Sequence, residues 1–259
     1  MAFAMLFLVG TGLAGKDLTL QALEIMKESE LYIERYTSFI SEEHAKFIEK
    51  IAGRELKRIS RREMEEQVSE IVKRAKSSNI AIIVGGDPLM ATTHKILAIE
   101  AVRQGVKIKV VHASSIVTVA IGESGLDFYK FGQVCTIPKW QEHYKPVSFY
   151  ETIAKNISNR QHSLVLLDYS EEGRASLPIG EALEILESAE KHYKKGIIMN
   201  NTKMLVIGNM GSESQTKLYG SIDALKDVRI AGPALLIIPS ELSEIEKESM
   251  SAMGVKEVE

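Results

Sequence analysis

The chain has 259 residues, enough for one large domain or two smaller domains with a substantial core. Its net charge of −3 gives no electrostatic support for nucleic acid as the main ligand. The single cysteine, Cys135, excludes an intramolecular disulfide and a cysteine-based zinc site, and no histidine spacing is typical of a metal centre. The apolar N-terminal run is too short to span a bilayer, so we expect a cytoplasmic protein without membrane contact.

Strands and helices alternate through the first 111 residues. Apolar runs predict strands at residues 5–9, 31–34, 55–59, 80–84 and 108–111. Helical spacing predicts helices at residues 19–27, 41–51, 60–76 and from about 92 to 104. Ser60 and Glu63 have the spacing of a capping box, which supports a helix start there. This alternation predicts a mostly parallel sheet with helices on both faces.

The first strand leads into a glycine-rich loop at residues 10–15, which is a literal G-x-G-x-x-G. Glu34 closes the next strand, where a dinucleotide enzyme places the acid that binds its ribose. A nicotinamide-dependent oxidoreductase is therefore an alternative. In a dinucleotide-binding enzyme, however, the glycine motif leads directly into a helix whose N-terminus meets the pyrophosphate. In this sequence Lys16 and Asp17 lie between the motif and the predicted helix. We therefore expect the glycines to shape a loop near a ligand.

A second turn follows the strand at residues 80–84. Two glycines come first, and Pro88 then fixes the turn and keeps Asp87 out of the helical region. Ligands bind at the carboxyl ends of strands in open α/β sheets, so Asp87 is a candidate ligand contact. The alternative is that Asp87 only caps a tight turn. His94 and His112 flank candidate ligand loops and are predicted to be structural hydrogen-bonding residues.

The alternation restarts after an irregular, glycine-containing stretch near residues 122–131. Strands are predicted at residues 133–137, 163–167, 204–207 and 234–238. Helices are predicted at residues 116–121, 148–159 and 178–193 and from residue 240 onward. Ser148 and Glu151 have capping-box spacing, and Cys135 lies in an apolar run where burial is expected. We predict two α/β domains, residues 1–112 and 113–259, the second with a mixed sheet.

The remaining chemistry is carried by turns at the carboxyl ends of strands. No P-loop and no G-x-S-x-G elbow is present, which disfavours a nucleotide-hydrolysing enzyme and a serine hydrolase. The turns lie at residues 10–13, 85–90, 112–116, 167–168 and 208–212. They offer backbone N–H groups, small residues and apolar walls, which suit an organic cofactor such as S-adenosylmethionine.

The run Gly-Asp-Pro-Leu-Met-Ala-Thr-Thr-His at residues 86–94 resembles the motif of the diphthine synthase family, whose members are tetrapyrrole methylase-like methyltransferases. Residues 7–13, 34–38, 112–116, 125–126 with 129–132, and 166–168 resemble the same family. The resemblance implies a homodimer of two-domain chains with S-adenosylmethionine in the cleft between the domains. It further implies methylation of the amino group of a 3-amino-3-carboxypropyl-histidine on translation elongation factor 2, in diphthamide biosynthesis. The archaeal type makes a trimethylated product, and the eukaryotic type adds a methyl ester.

Transferred residue by residue, the resemblance implies eight cofactor contacts. They are Leu13, Asp87, Met90, Ser115, Ile116, Leu167, Met210 and Ala234. Glu34, Tyr36 and Thr37 are candidates for contacts near the substrate, and no general base is assigned, because the amine can lose its proton to water. A precorrin-type methylase is an alternative that the Ala-Thr-Thr-His continuation disfavours. A non-catalytic module that docks on elongation factor 2 is a further alternative.

Overall fold

The computed structural model describes residues 4–170 and 175–259. The chain forms two compact units, one ending at Ile116 and the other beginning at Val117. Each unit has its own main sheet. Across the described ranges, every helix is too short or too polar to cross a membrane.

The first unit is built on a five-stranded sheet. Its strands are β1 (Met5–Gly10), β2 (Glu30–Ile33), β3 (Leu56–Arg58), β4 (Ile80–Val84) and β5 (Lys107–Val111). Their order is β3-β2-β4-β1-β5, and every described pairing is parallel. All five side chains of β4 are buried, as expected for a central parallel strand that is covered on both faces.

Helices cover both faces of this sheet, which confirms the predicted architecture. They are α1 (Leu20–Lys27), α2 (Glu42–Ala52), α3 (Arg61–Glu66), α4 (Val68–Arg74) and α5 (Lys95–Gln104). Met26 of α1 and Ile48 of α2 pack on one face, and Val72 of α4 and Leu97 of α5 pack on the other. The apolar residues of each helix recur at helical spacing, and burial of that stripe fixes the helix on the sheet.

In the first unit, two helices differ from the prediction by more than one residue. The helix expected at residues 60–76 is divided, because the backbone of Gln67 leaves the helical region with φ −117°. The apolar pattern specifies which face is buried, and both pieces keep that face inward. Helix α5 begins at Lys95 instead of near Thr92, since Thr92 and His94 both bond the carbonyl oxygen of Pro88.

The second unit contains a six-stranded sheet and a two-stranded ribbon. Its strands are β6 (Cys135–Ile137), β7 (Ser163–Leu167), β8 (Tyr169–Ser170), β9 (Ala175–Ser176), β10 (Lys203–Gly208), β11 (Thr216–Ser221), β12 (Ala234–Ile238) and β13 (Lys256–Glu257). The helices that begin at or after the unit boundary are α6 (Ile116–Ser124), α7 (Phe149–Ser158), α8 (Ile179–Tyr193), α9 (Ile222–Leu225) and α10 (Glu244–Ala252). The large sheet has the order β13-β11-β10-β12-β7-β6 and combines parallel with antiparallel pairs, which confirms the predicted mixed sheet.

Local signals in this unit were partly misleading. Ser148 is itself helical and its side chain makes no cap hydrogen bond, so the capping box predicted with Glu151 is wrong. The capping box predicted at Ser60 in the first unit is present, and a further one forms in the second unit at Ser243 with Glu246.

Cys135 is half-buried, and burial raises the pKa of its thiol to about 12, so the thiol is not a nucleophile at neutral pH.

A buried carboxylate ties α10 to the rest of the second unit. Glu246 is 3% exposed. Its Oε1 accepts from His162 Nε2 at 2.8 Å and from the Asp127 backbone N–H at 3.2 Å. Its Oε2 accepts from Lys130 Nζ at 2.6 Å and from the backbone and hydroxyl of Ser243 at 2.9 Å each. These donors hold the pKa of Glu246 far below its usual range despite its burial.

Candidate functional site

Three loops of the first unit meet at the carboxyl edge of its sheet. β1 pairs in parallel with both β4 and β5, so residues 10–14, 85–90 and 112–116 leave the sheet side by side. Gly10 lies where they converge. A Cβ atom there would lie 2.6 Å from the carbonyl oxygen of Gly86, 2.9 Å from Cδ of Pro88 and 3.0 Å from Cβ of Ala113. Glycine at position 10 therefore permits the close packing of all three loops.

The β1 and β4 loops are joined through their backbones. The N–H of Gly12 donates to the carbonyl of Gly86 at 3.3 Å, and the N–H of Gly86 donates to the carbonyl of Gly12 at 2.8 Å. Asp17 Oδ2 accepts from the backbone N–H groups of Leu13 and Ala14, each at 3.0 Å. A pyrophosphate would need such N–H groups and would be repelled by this carboxylate. These contacts therefore disfavour the hypothesis that the G-x-G-x-x-G motif binds a dinucleotide.

Asp87 links the β4 loop to the β5 loop. It is 7% exposed, and its Oδ1 accepts from the backbone N–H of Leu89 at 2.9 Å. Its Oδ2 accepts from Nδ1 of His112 at 2.7 Å and from the N–H of Ala113 at 3.4 Å. The predicted turn cap is thus present, with a cross-loop bond in addition. Met90, three residues on, is 44% exposed and extends this edge with an apolar side chain.

The loop after β2 has a different role from the one expected. Glu34 is fully buried, and its Oε2 accepts from the backbone N–H groups of Tyr36 and Thr37, each at 3.0 Å. The predicted contact of Glu34 with substrate or ribose is therefore wrong for this conformation, because the carboxylate is out of reach and already bonded. Burial raises the pKa of Tyr36 to about 12, so its phenol stays protonated.

The three predicted contacts of the second unit also lie at one sheet edge. β12 is antiparallel to β7 and β10, so its first residue, Ala234, lies beside the carboxyl ends of both. Ala234 pairs with Gly208, two residues before Met210, and Leu166 pairs with Leu235, which places Leu167 next to Ala234. Leu167 and Met210 are buried, whereas Ala234 is half-buried.

Some site contacts were not predicted from the sequence. Asp17 caps the β1 loop, His112 bonds Asp87, and Ser176 Oγ accepts from the backbone N–H of Ala234 at 2.9 Å. An aspartate four residues after Leu13 was a usable signal for a loop cap, whereas the other two pairs are distant in sequence. Within residues 4–170 and 175–259, no cluster of histidine, cysteine and carboxylate side chains could hold a metal ion.

The charges of the first-unit loops suit S-adenosylmethionine. Residues 10–14, 85–90 and 112–116 contain no lysine or arginine, and the carboxylates of Asp17 and Asp87 adjoin them. S-adenosylmethionine carries a sulfonium and an ammonium against one carboxylate and has no phosphate. A positively charged ligand without phosphate groups is therefore compatible with these three loops. The half-buried side chains of Leu13 and Ile116 can provide apolar walls.

Known proteins are similar to nearly the whole chain. Residues 5–226 match the model of a family described as Tetrapyrrole (Corrin/Porphyrin) Methylases. A protein named diphthine synthase from Methanocaldococcus jannaschii is 34% identical over 251 residues, covering 95% of this chain and 97% of that protein. A diphthine methyl ester synthase from Schizosaccharomyces pombe is 32% identical over 274 residues, covering 97% of this chain and 95% of that protein. A crystal structure described as diphthine synthase matches with a TM-score of 0.84 at 29% sequence identity. The match covers 96% of this chain and 95% of the chain in that structure.

Proposed function

This chain belongs to the tetrapyrrole methylase family, and we propose that it is the S-adenosylmethionine-dependent enzyme that forms diphthine on translation elongation factor 2. The relatives identify it as a methyltransferase. The observation that carries the proposal is that proteins named diphthine synthase match the chain along nearly its full length. The substrate group is the amine of a 3-amino-3-carboxypropyl-histidine, as the sequence resemblance implies.

The proposed cofactor contacts form two sets. In the first unit the proposed contacts are Leu13, Asp87, Met90, Ser115 and Ile116, and in the second unit they are Leu167, Met210 and Ala234. When bound, S-adenosylmethionine supplies an electrophilic methyl group. The fixed loops around Gly10 support binding, because a preorganised backbone loses little entropy when a ligand arrives.

The catalytic contribution of the chain in this proposal is positioning of the two reactants. Once its proton has passed to water, the neutral amine would be nucleophilic enough to take the methyl group. The new C–N bond would replace the C–S bond of the cofactor, which would leave as S-adenosylhomocysteine. The cross-loop bond from His112 to Asp87 and the paired glycines Gly12 and Gly86 hold the edge in one geometry. Orientation of this kind removes much of the entropic barrier between two reactants. No side chain is required as a general base.

The test uses elongation factor 2 that carries the unmethylated 3-amino-3-carboxypropyl-histidine. It is incubated with this protein and S-adenosylmethionine, and the modified peptide is read by mass spectrometry, with the unmodified factor as control. We expect three added methyl groups for the diphthine-forming type or four for the methyl ester type. Relatives with both names are similar to the chain at 34% and 32% identity, so the mass decides between them. Cofactor binding without methyl transfer would reject this substrate and favour a precorrin-type methylase.

We also propose a cytoplasmic location and a homodimer. The location follows from the proposed substrate, which acts in translation, and the dimer follows from the sequence resemblance. Sedimentation of the purified protein over a range of concentrations measures the oligomeric state. A monomer at all concentrations would reject the dimer without affecting the proposed reaction.

A further inference from the structure

Residues 129–132, with the sequence Tyr-Lys-Phe-Gly, resemble the diphthine synthase family, but no proposed cofactor contact lies among them. The fold explains the second and third residues of this segment. Nζ of Lys130 donates to Oε2 of the buried Glu246 at 2.6 Å. The ring of Phe131 meets the ring of His162 edge-on, with centroids 5.3 Å apart. Both contacts fix the segment on the second unit.

The fold also explains Gly132 but not Tyr129. A Cβ atom at Gly132 would overlap Oδ1 of Asn156, which accepts from the backbone N–H of Gln133 at 3.1 Å. Tyr129, in contrast, is 89% exposed, and its ring meets the ring of Phe128, which is 61% exposed, with centroids 5.6 Å apart. Aromatic residues are enriched at protein–protein contacts, where they carry much of the binding energy.

The backbone beneath the two rings is fixed by hydrogen bonds. Oδ1 of Asp127 accepts from the N–H of Tyr129 at 3.0 Å. The carbonyl of Lys130 accepts from the N–H of His162 at 2.7 Å, and the carbonyl of His162 accepts from the N–H of Gly132 at 2.9 Å. The rings are therefore displayed on an ordered backbone, which reduces the entropy lost when a partner binds.

These rings lie at the end of the second sheet opposite the proposed cofactor contacts of that unit. Phe131 forms a parallel bridge with His162, immediately before β7 begins, whereas Leu167 ends β7. At about 3.3 Å per residue, the Cα atoms of His162 and Leu167 are about 16 Å apart. The Tyr129 ring is therefore remote from Leu167 and is not part of the cofactor site.

An acidic surface adjoins the rings. The turn before α10 lies against this segment, because Nζ of Lys130 also donates to the carbonyl of Glu241 at 2.8 Å. On α10, Ile245 is 78% exposed and adds an apolar side chain. The exposed side chains of residues 127–130 and 240–248 include one ammonium, that of Lys247, and four carboxylates, those of Asp127, Glu241, Glu244 and Glu248.

The aromatic and acidic side chains form one face of the second unit. We refer to this set as the Tyr129 face: Phe128, Tyr129, Glu241, Glu244, Ile245 and Glu248. Its carboxylates complement a positively charged partner, and its rings complement apolar side chains. The contact of two identical faces across a twofold axis would bring carboxylates against carboxylates. The charge of this face therefore favours a basic protein surface over a second copy of the same face.

We propose that the Tyr129 face docks a basic surface of the protein substrate, elongation factor 2, remote from the histidine that is methylated. This inference rests on the proposed function, which makes the substrate a protein. A specific protein interface covers about 800 Å² of each partner and is then roughly 30 Å across, so one interface can include both ends of the second sheet. Docking here raises the affinity for the factor and leaves the methyl-transfer step unchanged.

Tyr129→Ala tests the contribution of the rings. Isothermal titration uses elongation factor 2 that carries the unmethylated 3-amino-3-carboxypropyl-histidine, with S-adenosylhomocysteine present to prevent turnover. We expect the variant to bind the factor about tenfold or more weakly than the wild-type protein does. Affinity for S-adenosylmethionine and kcat at saturating factor should be unchanged, since Tyr129 lies outside the cofactor site. Val102→Ala, which truncates a side chain that is 76% exposed on α5, is the matched control and should bind the factor as the wild-type protein does.

Glu248→Lys tests the contribution of the charges. It should weaken binding of the factor and make the remaining affinity less sensitive to salt between about 0.05 and 0.5 M. Glu184→Lys makes the same change in net charge at an exposed position of α8 and should leave both properties unchanged. Thermal unfolding scans verify that all variants are folded.

The outcomes distinguish this inference from the proposed function. Equal affinity of folded Tyr129→Ala and wild-type protein for the factor, or a lower kcat with unchanged KM, would overturn the docking role and leave the proposed function intact. Sedimentation that shows a wild-type dimer and a Tyr129→Ala monomer would assign the face to a second copy and would also overturn it. A wild-type protein that neither binds nor methylates the factor would reject the proposed function and, with it, this partner.

Discussion

Gly10→Ala tests whether the three first-unit loops require their close approach. The added methyl group would lie 2.6 Å from the carbonyl oxygen of Gly86, 2.9 Å from Cδ of Pro88 and 3.0 Å from Cβ of Ala113. Two of these neighbours belong to one turn and the third to another, so no single rotation of a side chain relieves the overlap. Overpacking of this kind costs about 1–3 kcal/mol, and the backbone component of the clash places the expected loss at about 3 kcal/mol.

Gly122→Ala is the matched control. Gly122 lies within α6, and a Cβ there would have no neighbour within 4 Å, so alanine should stabilise the protein by about 0.5–1 kcal/mol. Urea unfolding measures the free energy for both variants, and titration with S-adenosylmethionine measures the effect on the site. We expect Gly10→Ala to lower both stability and affinity. Equal stability of the two alanine variants, with unchanged cofactor affinity for Gly10→Ala, would refute the packing argument.

Three further changes probe the bonds that hold the loops and the second unit. Asp87→Ala removes the acceptor for Leu89 and His112 and should weaken binding of S-adenosylmethionine while the fold persists; unchanged affinity in calorimetry would remove Asp87 from the site. Asp17→Ala releases two loop N–H groups and should cost about 0.5–2 kcal/mol in urea unfolding, and a neutral result would contradict the loop-cap assignment. Glu246→Ala leaves several donors without an acceptor and should cost about 3–5 kcal/mol. The pKa of Glu246 is lowered from 4.5 in the folded protein. Its ionised form therefore contributes fully to the free energy of unfolding above pH 4.5, and this contribution is lost as the pH falls from 4.5 through the pKa of the folded state. Unfolding temperatures measured between about pH 3 and 7 should therefore fall less at acid pH in the variant than in the wild-type protein. An equal decrease in both proteins would reject this linkage.

The sequence predicted the elements whose burial pattern is strong. The fully apolar run of β4 and the strand at Ser163–Leu167 were placed at their observed bounds, since buried central strands leave a continuous hydrophobic signal. Strand β11 was not predicted. It contains Lys217 and Gly220, and its side chains are mostly half-buried, so its identity as a strand comes from pairing with β10. Non-local pairing of this type has no local signature.

The candidate site was predicted as a set of turns but not as a set of bonds. The alternation of strands and helices predicted a parallel sheet. This was sufficient to predict that the turns after β1 and β4 lie together at the carboxyl ends of the strands. The partner of Asp87 could not be predicted, because His112 is 25 residues away and its side chain is directed by the geometry of a neighbouring loop. Glu34 was misassigned for the same reason. Its carboxylate lies at the end of a strand, as a ligand contact would, and only the fold reveals that it turns inward.

The half-buried thiol of Cys135 makes the natural chain suitable for site-specific labelling. With a pKa of about 12, its thiolate fraction at neutral pH is on the order of a thousandfold smaller than that of an ordinary cysteine with a pKa near 8.5. The thiolate is the form that attacks maleimide reagents, so a cysteine introduced at an exposed position such as Met199 would react in its place. A fluorophore could then be attached at one defined position without first replacing Cys135, and its signal would report encounters between this protein and other molecules directly.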